Sequence, residues 1–134
     1  MFEAFCKDKL GPLALRLAVG LFCAYHGYLK IMASGGTAWN SAYPIALQLL
    51  IAWVEFSAGI AILLGFRCRL AAGGLLLLTV GVLFWVRGWN LLRVPLHDLE
   101  LTLLLLLSNL SLLFLGAGQL SLDARGGGKS ARAR

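Results

Sequence analysis

Arg16, Gly20, Cys23, Gly27 and Lys30 recur at intervals of three and four residues. On a helix turning about 100° per residue they project within an arc of about 80°, and His26 lies at its edge. Glu55 sits inside a later apolar run and Glu100 near the start of the last one. An ionisable group in the middle of a membrane span costs roughly 2.5–3.5 kcal/mol by insertion scales, so it turns inward and takes a partner. His26 and Lys30 fall near one end of their run, at a level similar to Asp98 and Glu100, with Arg87, Arg93 and His97 around the rim. Lysine reaches water by snorkelling and histidine changes protonation near neutral pH. A pocket of His26, Lys30 and Glu100 is therefore suited to hold a quinone headgroup, relay a proton or receive a small acid. At the other end, Arg16 falls roughly 7 Å and Glu55 roughly 13 Å from the same side, counted at helical rise. That predicts an intramembrane Arg16–Glu55 ion pair, which would shape the bundle or only neutralise charge and fix helix register.

The elements that must carry these residues are four apolar blocks, residues 13–32, 45–66, 70–86 and 99–115. A bilayer core of about 30 Å takes roughly 17–25 helical residues to cross. The 134 residues are 60% hydrophobic and 13% charged, and no polar segment is large enough to cover four such helices. None of the blocks alternates apolar with polar residues as a membrane barrel requires. The expected fold is an all-α integral membrane protein, a bundle of four transmembrane helices. The first block is followed by more membrane rather than by a polar mature domain, so it reads as a retained helix and not as a signal peptide.

Eight cations, Lys7, Lys9, Arg67, Arg69, Arg125, Lys129, Arg132 and Arg134, share one side of such a bundle, against Lys30, Arg87 and Arg93 on the other. Basic residues near helix ends stay cytoplasmic, which predicts both termini inside. The net charge of +6 reads as topology rather than as nucleic-acid binding. The tail that ends in Gly126-Gly127-Gly128-Lys129-Ser130 lacks aromatic residues and lacks the strand and helix of a phosphate-binding loop. Residues 121–134 are expected to form a basic, disordered C-terminal tail. Cys6, Cys23 and Cys68 contain no Cys-x-x-Cys pair, so no dithiol site is indicated. The glycines of the first block and a row Gly74, Gly81 and Gly88 in the third suggest close helix packing. Asn109, about 180° from Glu100 on its helix, is expected to face another helix or a partner. Trp39, Tyr43, Trp85 and Trp89 are placed as interface anchors.

The run Leu15-Arg16-Leu17-Ala18-Val19-Gly20, then His26-Gly27-Tyr28-Leu29-Lys30, resembles the first helix of DoxX-like membrane proteins. The likeness continues through Glu55-Phe56-Ser57-Ala58-Gly59 and Leu63-Leu64-Gly65-Phe66-Arg67-Cys68-Arg69. It ends at Gly116-Ala117-Gly118 with Ser121-Leu122-Asp123, covering nearly the whole chain. The resemblance implies a DoxX-like four-helix domain over residues 1–120 in a bacterial inner membrane. It also implies a membrane subunit of a quinone-linked oxidoreductase complex that acts on sulfur compounds or thiols or against oxidative stress. No haem pair of histidines, flavin fingerprint or iron–sulfur cysteine set is present, so neither a metal site nor a covalently bound cofactor is expected. Electrons would pass through a partner's cofactor or directly to bound quinone, and any enzymatic role would not be autonomous. The alternative is a non-enzymatic anchor or assembly subunit for a soluble redox partner. A small-molecule or proton carrier would need a homo-oligomer, since broken helices and internal repeats are not evident.

Overall fold

The computed structural model describes residues 10–34, 44–87 and 96–124. They form four helices, α1 (Gly11–Ser34), α2 (Ile45–Leu64), α3 (Cys68–Arg87) and α4 (Leu96–Leu115), with no strand among the described residues. Pro12 stands in the first turn of α1, just after a π-helical Leu10, where its fixed φ suits the helix. α2 ends two residues before the apolar block does, because Gly65 takes φ +68°. The Gly65 amide donates to Ile62 O and the Phe66 amide to Ala61 O, the paired bonds that close a helix C-terminus through a left-handed residue. Each helix neighbours the next in sequence, and α4 returns to α1 to close the ring.

The side-chain distribution is inverted relative to a water-soluble bundle. Arg16, Gln48, Glu55, Thr79, Asn109 and Ser121 are buried, whereas Leu21, Leu50, Leu77, Leu107 and Phe114 stand outward on the four helices. In water an amphipathic helix would bury the second set and expose the first. α2 is the one described helix long and apolar enough by itself to cross a membrane. α1 has the length, 24 residues, but carries Arg16, His26 and Lys30. The apolar stretches of α3 and α4, Cys68–Phe84 and Glu100–Leu115, are shorter. The expectation of four spans recognisable by hydropathy is thus met in full by one helix.

α1 and α2 make the closest contact of the bundle, and glycine is the reason. A Cβ on Gly27 would lie 2.5 Å from Phe56 N, and one on Gly59 would lie 2.4 Å from Ala24 N. Backbone meets backbone there, which is how helices associate where water supplies no drive. The third-helix row behaves otherwise. Gly74 and Gly81 have nothing within 4 Å of an added Cβ, and Gly88 lies outside the described residues. The expected packing face on α3 is therefore corrected, because α3 turns Cys68, Ala72, Leu75 and Thr79 inward instead. Gly59→Ala should cost roughly 1–3 kcal/mol by overpacking. Gly74→Ala should be neutral, or stabilising by up to about 1 kcal/mol through helix propensity. Thermal unfolding of the two variants in detergent decides the point, and equal midpoints would remove the assignment.

Candidate functional site

Two polar constellations occupy opposite ends of the bundle. At one end, Arg16 is 3% exposed and donates to Ala117 O (2.7 Å), Leu120 O (3.0 Å) and Leu63 O (3.2 Å). All of its hydrogen-bond partners among the described residues are main-chain carbonyls. Leu63 lies in the last turn of α2, and Ala117 and Leu120 follow the end of α4. Unsatisfied carbonyls and the negative ends of two helix dipoles converge on the guanidinium, which explains a buried cation that makes no ion pair among the described residues. Gly65 leaves it room, since a Cβ there would lie 2.8 Å from Arg16 Nη1 and 2.6 Å from Ser121 Cβ.

The segment after α4 completes this lock. Asp123 accepts from the Arg67 amide at Oδ1 (2.7 Å) and from the Cys68 amide at Oδ2 (3.0 Å), while its own amide donates to Gly65 O (3.0 Å). Arg67 has φ +45°, and the two successive amides it orients form a small anion-binding concavity that the chain fills with its own carboxylate. Ser121 Oγ donates to Gly118 O and accepts from the Ala124 amide. Ser121 and Asp123, assigned to the tail by composition, thus belong to the bundle, while residues 125–134 lie outside the described residues. Asp123→Ala removes the cap of α3 and should cost about 0.5–2 kcal/mol, read as a lower unfolding midpoint in detergent. An unchanged midpoint would reduce the contact to an incidental one.

The expected Arg16–Glu55 pair does not form. Glu55, whose side chain is 8% exposed, makes its ion pair with Lys30 instead. The reason is directional, because helical side chains tilt toward their helix N-terminus. α1 and α2 are antiparallel, as the pairing of Gly20 with Leu63 and of Gly27 with Phe56 establishes. Arg16 and Glu55 therefore lean apart, whereas Lys30 leans down α1 as Glu55 leans up α2 to meet it.

Around this pair lies a cavity of about 230 Å³ to which all four helices contribute. α1 supplies Phe22, His26 and Lys30, α2 supplies Glu55, α3 supplies Leu78, Thr79, Val82 and Leu83, and α4 supplies Leu101, Thr102 and Leu105. The His26 ring stacks on Phe22 at a centroid distance of 4.2 Å. Thr79 Oγ1 donates to Leu75 O, which leaves its lone pairs free to accept. The cavity thus offers an ammonium, a carboxylate, an imidazole and hydroxyls inside apolar walls, a set that can hydrogen-bond a carbonyl or pass a proton. The structure brings His26 and Lys30 together but leaves Glu100 exposed and off the cavity wall, and Glu55 takes the carboxylate's place. Arg93 lies outside the described residues, as do the side chains of Arg87, His97 and Asp98.

Sequence reasoning missed Thr79 and Thr102, whose types carry no signal without knowing which faces meet. Asn109 is completely buried and faces the bundle, with Nδ2 donating to Leu105 O and Oδ1 unpartnered. Cys23 and Cys68 are buried free thiols in one apolar cluster with Val19, Ile62, Ala72, Leu75 and Leu112, where they pack as small hydrophobes. The family model of DoxX matches residues 11–88, which is α1 through α3. The chain belongs to the DoxX family. It is thereby a membrane protein, consistent with the apolar exterior described above. The DoxX match is shorter than the resemblance read from motifs, since α4 and the Ser121-Leu122-Asp123 segment fall beyond it. Neither a curated protein nor a solved structure matches this DoxX-family chain.

Proposed function

We propose that the chain is the membrane subunit of a quinone-linked oxidoreductase complex and that its four helices cross a bacterial inner membrane with both termini in the cytoplasm. The observation that carries this reading is the cavity formed by all four helices around the buried Lys30–Glu55 pair and His26. The cavity lies among helices whose outward faces are apolar, so it is accessible in depth and polarity to a redox carrier that lives in the lipid phase. Lys30 and His26 donate to a quinone carbonyl, and Glu55 and His26 exchange the protons that accompany its reduction. The family's general link to oxidoreductase and stress-related membrane functions favours redox chemistry, with electrons coming from a partner protein. The basic residues Arg67 and Arg69, exposed at the Arg16 end, favour the cytoplasmic assignment of that end.

Purified chain in liposomes should bind a ubiquinone or menaquinone analogue, and Lys30→Met and His26→Phe should each weaken binding by about tenfold, or about 1.4 kcal/mol. Binding that ignores both changes would remove the headgroup site. A second reading, an assembly or anchoring subunit, is favoured by the open cavity of about 400 Å³ at the Arg16 end, lined by Arg67, Arg69 and the docked residues Gly116–Gly118. Arg67→Glu with Arg69→Glu would then abolish recovery of a soluble redox partner while leaving quinone binding intact. Retention of the same partner set would count against this reading.

A further inference from the structure

The headgroup cavity has a second, apolar cavity beside it between α1 and α4. These two helices touch least of the four neighbouring pairs, and an apolar groove of about 190 Å³ runs along their seam. Phe22, Leu101 and Leu105 line both the groove and the polar cavity, so the two are adjacent and only these side chains stand between them. Beyond them the groove passes Ala18, Leu104 and Ser108, and Leu104 is 64% exposed, so the groove opens on the outer face of the bundle.

We infer that the α1–α4 seam is a lateral portal in which a neutral, ring-headed amphiphile with an isoprenoid tail lies, its head at Lys30–Glu55 and its tail along Ala18, Leu104 and Ser108. This rests on the quinone reading above and adds a tail site and an entry route. Three observations support it. The polar cavity is smaller than the roughly 300–1,000 Å³ of a site that encloses a whole drug-sized ligand, so it takes a head and leaves the tail elsewhere. From Lys30 to Ala18 is twelve residues, roughly 18 Å at helical rise. A tail following the groove therefore runs from the Lys30 end through mid-bundle toward the Arg16 end, along the direction in which a lipid chain runs inward from its interface. Lys30 and Glu55 neutralise each other at the head position, so the site carries no net charge to match a phosphate and suits an uncharged head. The ring of Phe22, stacked on His26 at the junction, is the wall an entering head must pass.

The test uses the full chain in liposomes with two probes, a tailless dimethoxybenzoquinone and the same ring bearing a decaprenyl tail. Ala18→Phe and Ser108→Phe fill the groove, and either should weaken the tailed probe at least about tenfold while leaving the tailless one unchanged. Equal binding of the tailed probe to groove-filled and unaltered chains, with Lys30→Met still weakening both probes, would overturn the portal and leave the headgroup reading standing. No binding of either probe to the unaltered chain would overturn both. Because a filled groove can also unfold the bundle, a tailed quinone with a photoreactive azide on the tail gives an independent reading on the unaltered chain. Labelling should map to residues 18–22 and 104–108, and labelling confined to α2 and α3 would overturn the assignment. In detergent micelles, displacement of the tailed probe by phosphatidylglycerol at equal concentration would do the same, since it would make the groove a phospholipid site.

Discussion

Arg16→Leu should cost the folded bundle about 1–3 kcal/mol, the cost of leaving buried polar groups unsatisfied, and is expected to reduce the yield of intact protein sharply. Three carbonyls, Leu63 O, Ala117 O and Leu120 O, would lose their donor at the ends of α2 and α4. A buried polar group left unsatisfied costs about 1–3 kcal/mol, and the three share one donor, so their losses fall together rather than summing. Arg16→Lys should recover part of the loss. An ammonium restores the charge against the helix ends, but its compact head lacks the planar fork that spans all three carbonyls. Denaturation in mixed micelles provides the measurement. An Arg16→Leu chain within about 0.5 kcal/mol of the unaltered protein, the range of ordinary surface changes, would end the structural role proposed for this residue. Binding of quinone to the surviving folded fraction should be unchanged, because Arg16 is not part of the Lys30–Glu55 cavity.

Lys30→Met has the second large effect, and it is not the mirror image of Glu55→Gln. The Glu55 side chain is 8% exposed and that of Lys30 is 29%. Lys30→Met strands a buried carboxylate, expected to cost about 3–5 kcal/mol. Glu55→Gln leaves an ammonium on a flexible stem that can turn toward water, so its cost should be nearer that of one lost charged hydrogen bond, about 1.5–3 kcal/mol. The double variant Lys30→Met/Glu55→Gln should be more stable than Lys30→Met alone, which a double-mutant cycle would read as positive coupling. Additive losses would mean that the two groups do not act as a pair. Quinone binding separates this structural effect from the functional one. The double variant is expected to fold and to bind the headgroup poorly.

The glycines divide along the same line between pattern and packing. Gly27 on α1 and Gly74 on α3 are equally suggestive as spacings, yet a Cβ added to Gly27 would lie 2.5 Å from Phe56 N and one added to Gly74 would meet nothing within 4 Å. A repeat of small residues states where a helix can be approached, and the neighbour's position decides whether it is. The Ser121-Leu122-Asp123 motif has a similar history. Its composition suggests a tail, whereas its hydrogen bonds to the Gly65–Cys68 turn make it the cap of α3. No rule of local propensity would have found this, because the partner amides are 55 and 56 residues away.

From residue types and intervals alone came the helical character of the chain, the order of the four helices among the described residues, and a polar face on α1 holding Arg16, Gly27 and Lys30, while the family came from a resemblance of motifs. The first three follow from periodicity and burial cost, which are properties of one segment at a time. The tertiary structure decided which charge Glu55 meets, that main-chain carbonyls hold Arg16, and that α3 and α4 complete the cavity with Thr79 and Thr102. These depend on the tilt of side chains between antiparallel helices. They depend equally on carbonyls that every residue possesses, which no residue name can announce before the helix ends converge.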